Sequence, residues 1–432
     1  METVYITGHK NPDLDSICGV LGYAALKSRL DKSRLYEPVR CGHLSESTKR
    51  ILNALEITPP KYMKDVFPKV KDVCLNTETR IDADSPLTEL AKTFSDENPS
   101  VTPIYENGKF YGLLSVDDIS TWFMSKLKKN GAKIGIPSIR ELMREQEEPL
   151  EASDFFEEAK LSLSRSKKRG LAVFEDGEFK GFVTRRCFLK APRYNVILVD
   201  HNEPAQSING IETANILEII DHHRLDPIKT DLPIFIDSEP LGSSCTIIYR
   251  NFIRSRLKPD KYTAKVLLTG IMSDTLVLTS PTTTPTDTES ALALAGLCGV
   301  DAYEFGHTMY SYVERLAAQD LAAAVLSDFK KYREHGVKFG IGQCEVTTLD
   351  DMDEYKEKLL LTLSDIKERR GVDWVVVMIT DVMTQRSVLF MTEHPAIKHL
   401  QYSRLEPGIM DMPGVVSRKK QLLPEIIHAL GV

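Results

Sequence analysis

A chain of 432 residues has room for about two to four domains, and its 42% hydrophobic and 27% charged residues are ordinary for a water-soluble protein. The formal net charge of −7 argues against a broad nucleic-acid-binding surface, which is usually basic. No apolar run reaches about 18 residues and the start, METVYITGHK, lacks the apolar part of a signal peptide, so we expect no membrane contact. Seven cysteines without CxxC spacing favour a reduced, cytoplasmic protein.

The first residues predict the beginning of an α/β domain. Residues 3–7 have the composition of a buried strand, and residues 15–30 that of a helix with Asp15 or Ser16 near its N-cap. A second strand and a helix at about 44–56 continue the alternation. The loop between the first strand and helix, GHKNPDLDS, combines glycine, asparagine and proline with possible ligands.

An internal repeat begins near residue 65. Two pairs of stretches match at the same offset of 69 residues: 105–119 with 174–188, and 81–94 with 150–163. Each unit predicts a strand, a helix, a strand, an ENG- or EDG-type hairpin turn, a strand and a helix. Chance similarity between two hairpins is the alternative, but two matches at one offset favour a duplication.

The α/β pattern resumes after the repeat, so the repeat reads as an insertion into one domain. Strands are predicted at 194–200 and 216–221, a helix at 264–274 and a long alanine-rich helix at 312–330. A last α/β domain follows, with VKFGIGQCEV, VDWVVVMITDV and SVLFMTE as its strands.

Acidic and histidine residues follow four apolar segments. In open parallel sheets the carboxyl ends of the strands meet at one edge, so the four segments can converge there. Crowded carboxylates favour a bound cation, and a mixed histidine and aspartate set suits Mn²⁺, Co²⁺ or Zn²⁺ better than Ca²⁺. Taken singly, each segment could be a turn or a helix cap. The residues are His9, Asp13, Asp15, Asp200, His201, Asp221, His222, His223 and Asp274.

A basic cluster lies near the C-terminus. The stretch PGVVSRKKQLLPEI places Arg418, Lys419 and Lys420 just before an apolar helix, where cations oppose the helix dipole unless an anion binds there. We therefore expect phosphate binding, with a solvated basic turn as the alternative. Lys330, in DFKKY, is a weaker candidate for the same pocket.

In this order, GHKNPDLDS, VDHNE, IIDHHR, GIMSDT and SRKKQ resemble the family II inorganic pyrophosphatases of the DHH phosphoesterase superfamily. The repeat resembles a pair of cystathionine β-synthase-type (CBS) modules. The resemblance implies an α/β fold: a DHH-type doubly wound parallel sheet domain interrupted by a tandem CBS module, then a smaller α/β C-terminal domain. The implied domains are 1–64 with 190–310, then 65–189 (modules 65–125 and 138–189), and 319–432.

The resemblance also implies roles for single residues in an inorganic diphosphatase (EC 3.6.1.1). Asp200 and a water or hydroxide would bridge two Mn²⁺ or Co²⁺ ions, and His223 would contact the nucleophile or substrate. An additional Mg²⁺ would arrive with pyrophosphate, and closure would occur about the 310–320 linker. One metal would take His9, Asp13 and Asp200, and the other Asp15, Asp200, His222 and Asp274. The pyrophosphate oxygens would be held by Arg418, Lys419 and Lys330.

For the repeat, the resemblance implies regulation by bound adenine nucleotides: AMP and ADP would inhibit hydrolysis, and ATP would activate it. Diadenosine polyphosphates are the alternative regulatory ligands. The first module keeps the ribose-contact pattern with Ser115 and Asp118, whereas the second has Thr184 but Cys187 in place of the acid. Further phosphate contacts are expected from Lys168, Arg169, Arg185 and Arg186. A homodimer is implied, with a tetramer as the alternative, and an insert that only mediates dimerisation is the competing hypothesis.

Two classes of rival function remain: another phosphoesterase of the superfamily, and a non-catalytic nucleotide sensor. An oligonucleotide nuclease of the superfamily would carry a GGGH-type motif near the C-terminus, where this chain has SRKKQ. An exopolyphosphatase shares more of the architecture and stays open. A non-catalytic nucleotide sensor would not need the intact set of ligand positions.

Overall fold

The computed structural model describes residues 2–93, 100–130, 135–226, 229–312, 315–382 and 384–431. The chain divides into two compact units, one formed by the residues up to Asp65 and from Asn195 onward, the other by Val66–Tyr194. Residues 313 and 314 of the linker expected at 310–320 lie outside the described residues. None of the described helices has both the length and the apolar character needed to cross a bilayer.

The N-terminal segment alternates strands and helices as expected. Its elements are β1 (Glu2–Thr7), α1 (Leu14–Leu30), β2 (Arg34–Arg40), α2 (Glu46–Ala54) and β3 (Lys61–Tyr62). Asp15 and Ser16 lie in the first turn of α1, near its N-cap as expected. The N-cap itself is Asp13, whose carboxylate accepts a hydrogen bond from the Ser16 amide at 2.9 Å. Asp15 is thereby free to point away from its own helix.

The repeat forms two three-stranded sheets with the same strand order, β4-β5-β6 and β7-β8-β9. Both hairpin turns use a residue pair with positive φ, Asn107–Gly108 and Asp176–Gly177, which suits the twist of two-residue hairpins. The elements are β4 (Ile81–Asp82), α3 (Leu87–Thr93), β5 (Val101–Glu106), β6 (Lys109–Ser115), α4 (Val116–Asn130), α5 (Ile139–Leu142), β7 (Leu150–Glu151), α6 (Phe156–Arg165), β8 (Gly170–Glu175) and β9 (Glu178–Thr184).

The two repeats differ at their ends. The first ends in the 15-residue helix α4, but the second ends in a single 3-10 turn, Arg185–Phe188, so the helix expected there is wrong. Pro192 follows closely, and a proline disfavours helical geometry in the residue before it.

After the repeat, three strands join the first three in a six-stranded parallel sheet of order β12-β11-β10-β1-β2-β3. The chain progresses outward in both directions from β1 and β10, so the gap between these two strands is the topological switch point. The elements are β10 (Asn195–Val199), β11 (Asn215–Asp221), β12 (Phe235–Ser238), α7 (Ser244–Arg254), α8 (Lys261–Asp274), α9 (Pro285–Cys298) and α10 (Ala302–Ser311).

The C-terminal part forms a second six-stranded sheet, of order β13-β14-β15-β16-β18-β17. In it β14 and β15 run parallel and the other neighbours antiparallel. The three strands expected here are confirmed as β14, β15 and β16. The elements are α11 (Leu321–Ser327), β13 (Phe329–Glu334), β14 (Val337–Val346), α12 (Met352–Arg370), β15 (Trp374–Asp381), β16 (Arg386–Met391), β17 (Ser403–Glu406), β18 (Ile409–Pro413) and α13 (Leu423–Gly431).

The long helix expected at 312–330 is wrong. The described part of that range holds a 3-10 turn, Leu316–Ala318, and the short helix α11, and Lys330 lies in β13. A hairpin turn at His335–Gly336, both with positive φ, lets β13 pair with β14. The alanine-rich stretch is thus helical only in α11, and cross-strand pairing makes the residues from Phe329 onward a strand.

Candidate metal centre

The first group of possible ligands lies where β1 and β10 end. His9 Nε2 is 3.3 Å from a carboxylate oxygen of Asp13 and 3.3 Å from Oδ2 of Asp200. One ligand atom from each of the three residues lies within 4.8 Å of the other two. Gly8 makes the tight turn possible, because a Cβ there would lie 1.9 Å from the Ser16 hydroxyl oxygen.

A second group lies on the other side of Asp200. Asp15, His222 and Asp274 also bring one ligand atom each within 4.8 Å of one another. His222 Nε2 is 3.3 Å from Asp274 Oδ2 and 3.5 Å from Asp200 Oδ1. Because Oδ2 of Asp200 faces His9 and Oδ1 faces His222, this carboxylate lies between the two groups.

Asp200, between the two groups, has a strained backbone conformation. Its φ is 64°, a left-handed conformation that non-glycine residues seldom adopt. The conformation is held by a hydrogen bond from its amide to the carbonyl of Ile220 in β11, 2.8 Å long, and by burial of the side chain. Backbone strain of this kind clusters at functional sites.

His222 shows that the second group fits a cation. Its Nδ1 lies 3.0 Å from the carbonyl oxygen of Leu241 and therefore carries the proton as a donor. Its Nε2 then carries no proton and presents a lone pair. This atom is buried and has no hydrogen-bond partner among the described residues. A lone pair facing the carboxylates of Asp200 and Asp274 is repulsive unless a metal ion lies between them.

Asp15 is held by the beginning of α7. Its carboxylate accepts hydrogen bonds from the Ser243 hydroxyl at 2.5 Å, the Ser244 amide at 2.7 Å and the Cys245 amide at 3.1 Å. The Ser244 hydroxyl in turn donates to Asp200 Oδ1 at 3.0 Å. These partners were not expected from the sequence, although LGSSC before an apolar helix is a signal for an anion-binding helix N-terminus.

The pKa values in this centre show an excess of negative charge. Burial and the Asp200 carboxylate raise the pKa of Asp15 to about 7. Burial, with the charges of Asp15, Asp13 and Asp200, raises the pKa of Asp274 well above its ordinary value. Burial opposes protonation of His9, but Asp13 and Asp200 outweigh it and raise its pKa to about 10. Divalent cations would relieve this repulsion, since they compensate several carboxylates at once.

His223 lies beside the centre and is held by a buried acid. Its Nδ1 is 2.8 Å from Asp221 Oδ1 and 3.9 Å from Asp200 Oδ1. Asp221 Oδ2 accepts a bond from the Asn202 amide at 2.6 Å. Asp200, His222 and His223 also form a group with ligand atoms within 4.8 Å, which the sequence analysis did not assign. Asp221 and Asn202 lie inside the recognised motifs, but their positioning contacts were not anticipated.

The three expected phosphate-binding cations also come together. Arg418 is 5% exposed, and its Nη1 donates to the Asp328 carboxylate at 2.8 Å and to the Asp328 carbonyl at 2.7 Å. Burial and the positive charges of Lys419 and Arg418 lower the pKa of Lys330, so the three cations are neighbours. Lys331 points elsewhere, donating to the Arg370 carbonyl.

These cations face the possible ligands. The positive charge of Lys419 contributes to the pKa values of both Asp274 and His223, which places its ammonium group near them. Arg418–Leu422 form a π-helical turn, a geometry often found at functional sites. Arg418 Nε is buried without a hydrogen-bond partner in the described chain, so it remains available to an anion.

The other unit contains a cavity of about 180 Å³. Ser115, Asp118, Lys168 and Arg169 line it, whereas Thr184, Arg185 and Arg186 do not. The buried Asp118 carboxylate accepts bonds from the amide and hydroxyl of Ser115, at 3.0 and 2.6 Å. In the second repeat Cys187 Sγ takes the corresponding bond from the Thr184 amide, at 3.3 Å.

Comparison with known proteins agrees with the fold. The family model for the N-terminal domain of the DHH family matches residues 3–271, and that for the DHHA2 domain matches residues 308–429. The manganese-dependent inorganic pyrophosphatase of Methanothrix thermoacetophila is 35% identical over 54% of this chain and 76% of its own. The cobalt-dependent inorganic pyrophosphatase of Clostridium perfringens is 26% identical over 99% of this chain and 98% of its own.

A solved structure, that of a putative family II inorganic pyrophosphatase from Methanococcus jannaschii, shares the fold. Its TM-score is 0.59 at 22% identity, and the match covers 99% of this chain and 100% of that one. The two family models define a protein with a DHH domain and a DHHA2 domain. The chain belongs to the DHH family and, within it, to the family II inorganic pyrophosphatases.

Proposed function

We propose that this chain hydrolyses inorganic pyrophosphate to two phosphates (EC 3.6.1.1) with manganese or cobalt in its metal centre. The observation that carries the proposal is the pair of histidine–aspartate groups that share Asp200, next to three clustered cations. The relatives named as cobalt-dependent and manganese-dependent inorganic pyrophosphatases support the metal and the substrate.

We assign one metal to His9, Asp13 and Asp200 and the other to Asp15, Asp200, His222 and Asp274. Two bound divalent ions would supply Lewis acidity, which activates water near neutral pH and neutralises phosphate charge. The protein contributes a buried, prepositioned set of ligands. Asp15 is oriented by the N-terminus of α7, and His222 by the Leu241 carbonyl.

The remaining residues act on substrate and protons. His223, held through Nδ1 by Asp221, presents Nε2 as a base or hydrogen-bond partner for the attacking water or the substrate. Arg418, Lys419 and Lys330 bind the pyrophosphate oxygens and stabilise the charge that grows on the leaving phosphate. A further Mg²⁺ accompanies the substrate.

For the inserted unit we propose a pair of CBS modules that binds adenine nucleotides and regulates hydrolysis. The cavity supports this, because it combines the buried acid Asp118 with Lys168 and Arg169, a suitable set for a ribose and its phosphates. Cys187 cannot replace a carboxylate toward ribose hydroxyls, so the first repeat provides the better site. AMP and ADP inhibit, ATP activates, and diadenosine polyphosphates are further candidate ligands. The chain assembles as a homodimer.

The test is a phosphate-release assay with Mn²⁺ or Co²⁺ and with Mg²⁺, using pyrophosphate and tripolyphosphate in parallel. We expect rapid phosphate release from pyrophosphate and little phosphate release from tripolyphosphate. The opposite preference would indicate an exopolyphosphatase, and no release from either would indicate a non-catalytic sensor. Repeating the assay with AMP, ADP and ATP tests the regulation separately, since basal hydrolysis does not depend on that outcome.

A further inference from the structure

A single buried hydroxyl group connects the metal-ligand helix to the C-terminal sheet. Tyr310, near the end of α10, is 2% exposed. Its hydroxyl oxygen lies 3.2 Å from the main-chain carbonyl oxygen of Ser273 and 3.0 Å from Oε2 of Glu345. Ser273 immediately precedes Asp274 in α8, whereas Glu345 belongs to β14. Most of α8 lies within residues 3–271, which the DHH model matches, whereas Glu345 lies within residues 308–429, which the DHHA2 model matches. The contact therefore joins the end of a DHH helix to a strand of the DHHA2 part.

Close packing of α10 on the end of α8 fixes the position of the tyrosine ring. A Cβ on Gly306 would lie 2.7 Å from Val277 and 3.3 Å from the sulfur of Met272. The two helices therefore approach more closely than any larger residue at 306 would allow. The ring of Tyr310 is buried in this packing.

A proton on the glutamate lets both contacts be full hydrogen bonds. A tyrosine hydroxyl has one hydrogen, and a carbonyl oxygen and a carboxylate are both acceptors. Burial raises the pKa of Glu345 to about 7, so its carboxylic acid form can donate to the tyrosine oxygen. Tyr310 then donates to the Ser273 carbonyl, and the three groups form one continuous chain.

We propose that Tyr310 is a positioning residue for Asp274: it holds the last turn of α8 in place for metal binding while Glu345, and with it β14, is seated against α10. This rests on the proposed role of Asp274 as a metal ligand. The same C-terminal domain carries Arg418 and Lys419, so the contact links seating of the phosphate-binding residues to the geometry of one metal site. By linkage, phosphate bound at those residues should strengthen binding at that metal site.

The test compares Mn²⁺ binding by calorimetry in the intact wild-type chain and in Tyr310→Phe, with thermal unfolding measured in parallel. Tyr312→Phe is the matched control, because Tyr312 lies two residues further on and is 37% exposed. We expect two Mn²⁺ per wild-type chain. Tyr310→Phe should weaken one of them about fivefold, the size expected for one lost hydrogen bond, and should leave the other unchanged. Tyr312→Phe should match the wild type.

Variants at Glu345 test the same proposal independently of Tyr310. Glu345→Gln keeps a donor and an acceptor and should retain wild-type Mn²⁺ affinity, whereas Glu345→Ala should reproduce the loss seen in Tyr310→Phe. The double variant that combines Tyr310→Phe with Glu345→Ala should lose no more Mn²⁺ affinity than either single variant. If Tyr310→Phe does not fold, the Glu345 pair carries the same comparison.

Equal Mn²⁺ affinities in the wild type, Tyr310→Phe and Glu345→Ala would overturn the inference, as would an equal loss at both metal sites. A lower unfolding temperature without a change in Mn²⁺ affinity would reduce Tyr310 to a structural role and also overturn it. A wild-type chain that binds no Mn²⁺ or does not hydrolyse pyrophosphate would instead refute the proposed function.

Discussion

His223 Nδ1 lies 2.8 Å from Oδ1 of the buried Asp221, and the second oxygen of Asp221 is held by Asn202. This arrangement fixes the plane of the imidazole and places its proton on Nδ1, leaving Nε2 for the reaction. Burial favours the neutral form of Asp221, but the contact with His223 outweighs it and lowers the pKa of Asp221 to about 2. The acid therefore stays ionised throughout the neutral range and keeps accepting from His223.

Asp221→Asn should lower kcat for pyrophosphate about 10- to 100-fold, the usual effect of losing an outer carboxylate behind a functional histidine. An amide nitrogen facing Nδ1 would favour the other imidazole tautomer, with its proton on Nε2. Steady-state kinetics gives kcat, and calorimetry should show Mn²⁺ affinity close to that of the wild type. Unchanged kcat would contradict the role of His223. Loss of both metals would instead show that Asp221 maintains the whole centre.

Arg418→Ala should reduce kcat about 10²- to 10³-fold, as expected for removal of one preorganised group that stabilises transition-state charge. Mn²⁺ binding should be retained, because a guanidinium group is a cation without an acceptor atom and does not ligate a metal ion. Lys420→Ala is the matched control: Lys420 lies in the same turn, and its ammonium group donates to the Pro281 carbonyl. Comparable losses in the two variants would indicate a general effect of positive charge rather than a specific contact.

Glu345 predicts a pH dependence of stability in the metal-free protein. Burial, together with the charges of Asp328 and Asp13, raises its folded-state pKa to about 7 from 4.5, although the hydrogen bond that Tyr310 can donate to the ionised carboxylate opposes the shift. The folded state thus binds the proton more tightly than the unfolded state. Its contribution to stability is complete below about pH 4.5 and disappears as the pH rises through about 7.

The unfolding temperature of the wild type should therefore fall relative to that of Glu345→Gln as the pH increases from 5 to 8, measured by calorimetry with EDTA present. Glu357→Gln, at an exposed site on α12, controls for the removal of one carboxylate. A difference between wild type and Glu345→Gln that stays constant over this pH range would show that Glu345 does not retain its proton.

Asp118→Ala should weaken AMP binding at least about tenfold, because the carboxylate is buried and prepositioned by Ser115 in the cavity of the inserted unit. Cys187→Ala is the matched control, since it alters the corresponding position of the second repeat, which does not line that cavity. Titration of the intact chain with AMP gives both affinities. Equal loss of AMP affinity in the two variants would mean that both repeats contribute to one site. Unchanged AMP affinity in Asp118→Ala would place the nucleotide elsewhere.

Much of the fold and of the candidate site could be read from local features. Asp200 and His222 follow apolar runs typical of buried strands, and parallel strands bring their carboxyl ends to one edge, so the convergence of these residues with His9 was predictable. The matching hairpins in the repeat were predictable because Asn-Gly and Asp-Gly turns have a strong local preference. Long-range hydrogen bonds have no such local signal. The Ser243–Cys245 cradle of Asp15 joins residues more than 220 positions apart.

The sequence by itself therefore determined the α/β class, the place of the inserted repeat and the residue types that converge at the sheet edge, because these depend on hydrophobic periodicity and local turn chemistry. Only the tertiary structure decided that residues from Phe329 form a strand rather than a helix, that Lys330 rather than Lys331 faces the other cations, and that Tyr310 joins the two domains. Each of these depends on partners distant in the chain, and the free energy of such pairing outweighs local propensity.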